Sequence, residues 1–230
     1  MCYDIGIKEV TVYAFSIENF KRSQQEVEDF HVMFRGALND ILKRISIPNH
    51  AVKIRILGNK SFLESDVQAD FERLERTSSQ YTATKILNVC FAYTARDEIR
   101  HSVRTIASIR EEGAISKGEI SERMITQNLY VSGSGQPVDI LVRTSGHQRL
   151  SDFLLWQCSS DCKVVFIDVL WPNFKTTRLL MIIFNWSFEQ ATAFHRYRLF
   201  VDSNSRMPVN VHTLPPSPAF AVVSKASTNK

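Results

Sequence analysis

Long apolar runs are missing from this chain: the longest uninterrupted one, Leu179 to Phe184, covers six residues, against the ~20 that a membrane-spanning helix needs. No basic-then-apolar leader pattern opens the sequence, so any contact with a membrane is expected to be peripheral. Cysteine is sparse. Cys2, Cys90, Cys158 and Cys162 form no C-x-x-C pair and are too few for a disulfide framework, which favours a reducing compartment. Cys158 and Cys162 are expected to be small buried residues rather than metal ligands. Charge of one sign is also missing: 28 basic and 24 acidic residues leave a formal +4, evenly spread, so the balance calls for no nucleic-acid partner. No G-x-G-x-x-G follows a strand, and there is no Walker P-loop, H-E-x-x-H or G-x-S-x-G, which removes the usual dinucleotide, nucleotide, zinc-protease and hydrolase signatures. The six histidines are scattered singly.

What remains is ordinary globular composition, 44% hydrophobic and 23% charged over 230 residues, enough to bury one sizeable core. Four of the seven prolines fall at positions 208, 215, 216 and 218 among serine, asparagine and threonine, so residues 201–230 are expected to be a disordered tail. Residues 1–200 form one expected domain. Within it, short apolar runs alternate with longer periodic ones. Val10–Phe15, Val52–Leu57, Ile86–Tyr93, Val138–Val142 and Val164–Ile167 read as strands. Ser23 with Glu26 forms a capping box before a stripe of Val27, Phe30, Phe34, Leu38, Ile41 and Leu42 on one helix. Val67, Phe71 and Leu74 mark a second helix, and a third is expected from about Ala95 to Arg110. A closing helix, from near Pro172 and Asn173, carries Leu179, Ile183, Trp186 and Phe194. Strands joined by helices of this length run parallel. The expected fold class is therefore α/β, an open, mostly parallel sheet flanked by helices.

Open parallel sheets bind ligands beyond the carboxyl ends of their strands. Two polar segments stand there: Ser16-Ile-Glu-Asn-Phe-Lys-Arg22 and Arg143-Thr-Ser-Gly-His-Gln-Arg-Leu-Ser151. Arginine's planar fork suits phosphate oxygens. Ser151, placed at the expected start of an apolar helix (Phe153, Leu154, Leu155, Trp156), would add a hydroxyl and helix N–H groups. That makes a phosphate or diphosphate clamp without a glycine-rich loop, weighed against solvated surface arginines and a plain helix cap. His147 lies inside the segment, His31 on a helix flank with no assigned role, and Glu18 and Asp152 are the nearby carboxylates. No pair of them has metal-ligand spacing, and no metal-binding residue is assigned. Phe30, Met33 and Phe34 are expected either in the core or along an apolar tunnel leading from the clamp.

Three blocks in this order carry a resemblance: Val12-Tyr-Ala-Phe-Ser-Ile-Glu-Asn-Phe-Lys-Arg-Ser23, Ile140-Leu-Val-Arg-Thr-Ser-Gly-His-Gln-Arg-Leu-Ser-Asp-Phe-Leu-Leu-Trp-Gln157 and Val169-Leu-Trp-Pro172. Over residues 1–190 the chain resembles the cis-prenyltransferases, in particular the eukaryotic dehydrodolichyl diphosphate synthases. The resemblance implies condensation of an allylic diphosphate such as farnesyl diphosphate with isopentenyl diphosphate, usually with Mg²⁺, to make polyprenyl diphosphate for dolichol. It implies that Arg143, Arg149 and Ser151 hold isopentenyl diphosphate. Ser16, Asn19 and Arg22 would lie beside the reacting diphosphate, Asn19 in the catalytic position, with Phe20 at the pocket edge. It further implies a Nogo-B-receptor-like partner subunit or a homodimer, on the cytosolic side of the endoplasmic reticulum membrane.

The departures carry expectations too. Family members have a block resembling Asp-Gly-Asn-Arg-Arg after a preceding strand, which this sequence does not contain, so the first strand is expected to be missing and the chain to be N-terminally truncated. The neighbourhood of Asp161 and Cys162 offers no equivalent of the late metal-binding glutamate of bacterial members. His147 stands where many relatives have glutamate. No Arg-x-Gly occurs, as in catalytic subunits that borrow this motif from a partner. The alternative function is a truncated, catalytically impaired subunit or isoform that keeps only isopentenyl diphosphate binding and partner binding.

Overall fold

The computed structural model describes residues 2–45, 52–80, 83–131, 138–170, 173–204 and 219–223. A short 3-10 turn at Cys2–Ile5 leads into β1 (Glu9–Ser16), and a second turn, Ile17–Lys21, into α1 (Gln24–Ile45). β2 (Val52–Leu57), α2 (Ser65–Ser79), β3 (Lys85–Tyr93) and α3 (Ala95–Glu111) follow. α4 (Glu122–Gln127), β4 (Ile140–Arg143), β5 (Lys163–Phe166), α5 (Thr176–Asn204) and β6 (Ala219–Val223) complete the chain. The strands form one sheet in the order β2-β3-β1-β6-β4-β5. Every neighbouring pair is parallel, as helix-length connections require.

Apolar strand residues set the core. Phe15, Ile54, Ile56, Val89 and Phe91 pack with Leu38, Val67, Phe71 and Leu74, while Val27, Phe30, Phe34 and Ile41 of α1 close over them. Tyr13, Cys90, Tyr93 and Leu141 pack with Phe153 and Leu154. Ile7, Val10, Ile140 and Val142 pack with Leu179, Ile182 and Trp186 of α5. The expected capping box is in place: the Glu26 N–H donates to Ser23 Oγ, and the Ser23 N–H donates to Glu26 Oε2. Leu42 and Phe194 lie outside the residues whose side chains are described. Among the described residues no helix is long and apolar enough to cross a membrane.

Several expectations change. No helix follows Ser151: Ser151, Asp152 and Leu154 have φ of +51, +61 and +48°, left-handed values that a right-handed helix cannot contain. Phe153 and Leu154 are fully buried while Leu155 is exposed, so the apolar run is a loop that sends its first two side chains into the core. Within the expected tail, Ala219–Val223 instead forms β6, between β1 and β4, with Val12 opposite Val222 and Arg143 opposite Val223. Five apolar, partly β-branched residues suit such a fully flanked strand. α5 begins at Thr176, after the expected start at Asn173, and Pro172 lies outside the described residues. Met33 is exposed and so belongs neither to the core nor to a tunnel wall. Cys158 and Cys162 lie in the non-helical loop before β5, both half-buried.

Candidate functional site

β1, β4 and β3 all end at one edge of the sheet, and the segments leaving them wall a cavity of about 600 Å³. After β1, Ser16 caps the turn Ile17–Lys21. Its Oγ accepts from the Glu18 N–H at 3.2 Å, and its own N–H donates to Asn19 Oδ1 at 2.8 Å. This reciprocal pair fixes Ser16, Asn19 and, one residue past the turn, Arg22 in the cavity wall. Arg143 closes β4, and Arg149 and Ser151 follow in the loop after it. After β3, Arg96 enters from the first turn of α3.

Six of the seven residues expected at the site, Ser16, Asn19, Arg22, Arg143, Arg149 and Ser151, line this one cavity, although more than a hundred residues separate the two segments in the chain. Phe20 is not in the wall. It packs behind it, edge-on to Phe15 at 5.0 Å and stacked on Phe62 at 5.6 Å. His147 is exposed on the loop after Arg143. His31 packs among Phe15, Phe20 and Phe91, where burial lowers its pKa.

Arg143 defines the electrostatics. It is only 3% exposed, its NH1 donates to Ser151 Oγ at 2.6 Å, and its Nε is buried with no hydrogen-bond partner among the described residues. Burial first, and then the neighbouring Arg149, pull its pKa below the ordinary guanidinium value. A buried cation without a carboxylate is costly unless something anionic joins it. Both carboxylates of the wall are already engaged: Glu18 with Lys21 at 2.5 Å and Asp152 with Arg96 at 2.8 Å. The Lys21 hydrogen bond holds Glu18 below the usual carboxylate range. Ser151 Oγ accepts from Arg143, which leaves the hydroxyl hydrogen to donate to a ligand.

The same wall also has apolar members, Tyr13, Ala14, Phe15 and Phe30. Phe15 and Phe30 lie 4.8 Å apart and continue into Phe34 and Phe91. A lining that mixes arginines with aromatic side chains suits an amphipathic anion, one that joins several negative oxygens to a hydrocarbon body. For a divalent metal the fit is poor. Among the described residues no three of His, Cys, Asp and Glu cluster, and the two wall carboxylates already serve cations.

Sequence reasoning missed Arg96 and, among the aromatic members of the wall, Tyr13 and Phe15; Phe30 was already expected either in the core or along a tunnel. Arg96 stands just past a strand's carboxyl end, the same positional signal that exposed the other two segments. The aromatic residues had no such signal, because their periodicity is that of core.

The undecaprenyl diphosphate synthase family model, a prenyltransferase model, matches residues 1–193. A dehydrodolichyl diphosphate synthase complex subunit from Schizosaccharomyces pombe is 38% identical over 195 residues, 84% of this chain and 73% of the relative. The corresponding human complex subunit is 39% identical over 206 residues, covering 89% of this chain, which spans 61% of the human protein's length. Among solved structures, lavandulyl diphosphate synthase from Lavandula x intermedia, in complex with dimethylallyl diphosphate, superposes with a TM-score of 0.74 at 28% identity. That match covers 80% of this chain and 77% of the other.

Proposed function

Because the chain belongs to the cis-prenyltransferase family, we propose that its cavity binds isopentenyl diphosphate and an allylic diphosphate such as farnesyl diphosphate and joins them into a longer polyprenyl diphosphate, of the kind used for dolichol. The observation that carries this reading is Arg143, a buried guanidinium without a carboxylate partner among the described residues, lining a cavity whose wall also holds Tyr13, Phe15 and Phe30. Arg143, Arg149 and the Ser151 hydroxyl hold the diphosphate of isopentenyl diphosphate, which stays attached to the product. Ser16, Asn19 and Arg22 hold the allylic diphosphate, which leaves as the new carbon–carbon bond forms and a proton departs from the isopentenyl unit. Donors fixed in place before the reaction stabilise the charge that grows on the leaving oxygens. The hydrocarbon lies against Phe15 and Phe30.

Magnesium is the cofactor the family resemblance brings with it. The described residues alone do not supply a binding set for it, so the roles assigned here rest on the arginine, serine and asparagine donors. Purified protein incubated with farnesyl diphosphate, labelled isopentenyl diphosphate and Mg²⁺ should yield label in a hydrocarbon-extractable product. Binding of isopentenyl diphosphate without product would favour the alternative, a subunit that binds substrate and partner without turnover. Arg149→Ala should weaken isopentenyl diphosphate binding by roughly 1.5–3 kcal/mol, the size of one charge-assisted contact. Unchanged affinity in calorimetry would return Arg149 to the solvent-exposed charges.

The relatives bear the names of complex subunits, and α5 offers a surface that suits a partner. Leu180, Met181, Phe184 and Phe188 form an exposed apolar stripe, with Phe184 at 70% exposure. Spacings of three to four residues place three of them along one flank of the helix, and a contiguous apolar patch of this kind marks an interaction surface. We assign it to a second subunit of this family, Nogo-B-receptor-like or another copy of the chain, at the cytosolic face of the endoplasmic reticulum. Phe184→Asp should convert the assembly to monomer in light scattering while leaving helicity unchanged. Retention of the assembly would remove α5 from the interface.

A further inference from the structure

We propose that Asp152 is a positioning residue, a latch that clips the left-handed Ser151–Asp152 pair to the first turn of α3 and so holds the Ser151 hydroxyl against Arg143. The proposal rests on the reading of this cavity as a diphosphate site.

Two consecutive non-glycine residues with φ of +51 and +61° occupy a conformation that L side chains disfavour. Such a pair persists only where its surroundings over-determine it, and here three hydrogen bonds do so, all made by Asp152. Its carbonyl accepts from the Ala95 N–H at 2.8 Å. Its Oδ1 accepts from the Arg96 N–H at 3.1 Å, and its Oδ2 accepts from Arg96 Nε at 2.8 Å. Thr94 Oγ1 takes the Asp97 N–H at 3.3 Å, so Thr94 and Asp152 together satisfy three of the donors that a helix leaves unpaired at its start. The carboxylate is only 14% exposed although Arg96 is 76% exposed.

On the other side, Phe153 is fully buried and stacks on Tyr13 at 4.6 Å. Ser151 thus leads directly into a segment pinned to α3 and to β1. Its Oγ meets Arg143 at 2.6 Å, so the path from latch to ligand is Asp152, then Ser151, then the guanidinium. Direct contact between the Asp152 carboxylate and a diphosphate is disfavoured, since both are anions and both carboxylate oxygens already accept from α3.

Calorimetric titration of the full chain with isopentenyl diphosphate, and separately with inorganic diphosphate, tests the latch. Asp152→Ala should bind both about tenfold more weakly, the effect of losing one helix-capping carboxylate relayed to the clamp. Asp152→Gly, which relieves the left-handed backbone but removes the side-chain clip, should show the same loss and keeps the test usable where alanine is too strained to fold. Asp152→Asn keeps an acceptor for the Arg96 N–H and tolerates positive φ, so it should restore affinity to within about threefold. Wild-type affinity in the alanine and glycine variants would overturn the latch, as would tighter binding, which would mean that Asp152 merely neutralises Arg96. Failure of asparagine to rescue would overturn it as well. Absence of binding by the unsubstituted chain would overturn the diphosphate reading and the latch together, whereas binding by the unsubstituted chain that the alanine and glycine variants leave unchanged would overturn the latch alone.

Discussion

Arg143→Ala should abolish measurable use of isopentenyl diphosphate, with affinity falling at least ~100-fold, about 3 kcal/mol, the range seen when one member of a buried, hydrogen-bonded charge pair is truncated. The loss should exceed that of Arg149→Ala because Arg143 is buried and Arg149 is exposed, and a charge contact strengthens as water is removed. Stability separates this role from a structural one. With Nε unpartnered and no carboxylate paired to it among the described residues, the cation costs the empty protein desolvation energy that only a ligand offsets. The ligand-free Tm of Arg143→Ala should therefore be unchanged or higher, even though ligand binding is lost. A marked fall in Tm would make Arg143 a structural residue and remove the main support for the proposed function. Arg143→Lys tests geometry. It keeps the charge but loses the planar fork, so it should recover only part of the affinity.

How far such residues can be read from sequence depends on whether their signal is local. The strands β1, β2, β3, β4 and β5 and the helices α1, α2 and α3 were legible because apolar spacing alone distinguishes them. The two polar segments were legible because position after a strand is a local property, and the parallel sheet then brings the strand ends together. Ser151 shows where this fails. A run of Phe153, Leu154, Leu155 and Trp156 has the length and composition of a helix turn, and only backbone dihedrals set by contacts with α3 and Tyr13 make it a loop. The clamp consequently has no helix dipole behind Ser151, and Arg143 itself is what the Ser151 hydroxyl answers to. β6 fails for a different reason. Five apolar residues, Ala219–Val223, sit in a segment whose average is proline and serine, so a compositional reading hid a strand that the sheet places between β1 and β4. Arg96 and Asp152 were invisible as a pair because 56 residues separate them, and no periodicity reports a contact of that kind.

Asn19 should control turnover more than binding. Its Oδ1 is committed to the Ser16 N–H at 2.8 Å, which turns Nδ2 into the group available to a ligand oxygen. A neutral amide is too weak a base to take a proton, so in the proposed reaction its role is donation to the departing allylic diphosphate. Removing one preorganised donor of this type lowers kcat by about 10²–10³, while KM for isopentenyl diphosphate, held by the other segment, should change little. Asn19→Ala also loses the reciprocal cap, and its Tm should fall by the equivalent of about 1 kcal/mol. Asn19→Asp separates the two roles: the carboxylate still accepts from Ser16, so Tm should stay near the unsubstituted value. It also places a negative charge where the leaving group's charge develops, so kcat should fall at least as far as in Asn19→Ala. Normal turnover in Asn19→Asp would show that the cap alone is required and would leave the leaving group to Ser16 and Arg22. Equal loss in both variants, with only the alanine variant less stable, would fix the amide nitrogen as the donor.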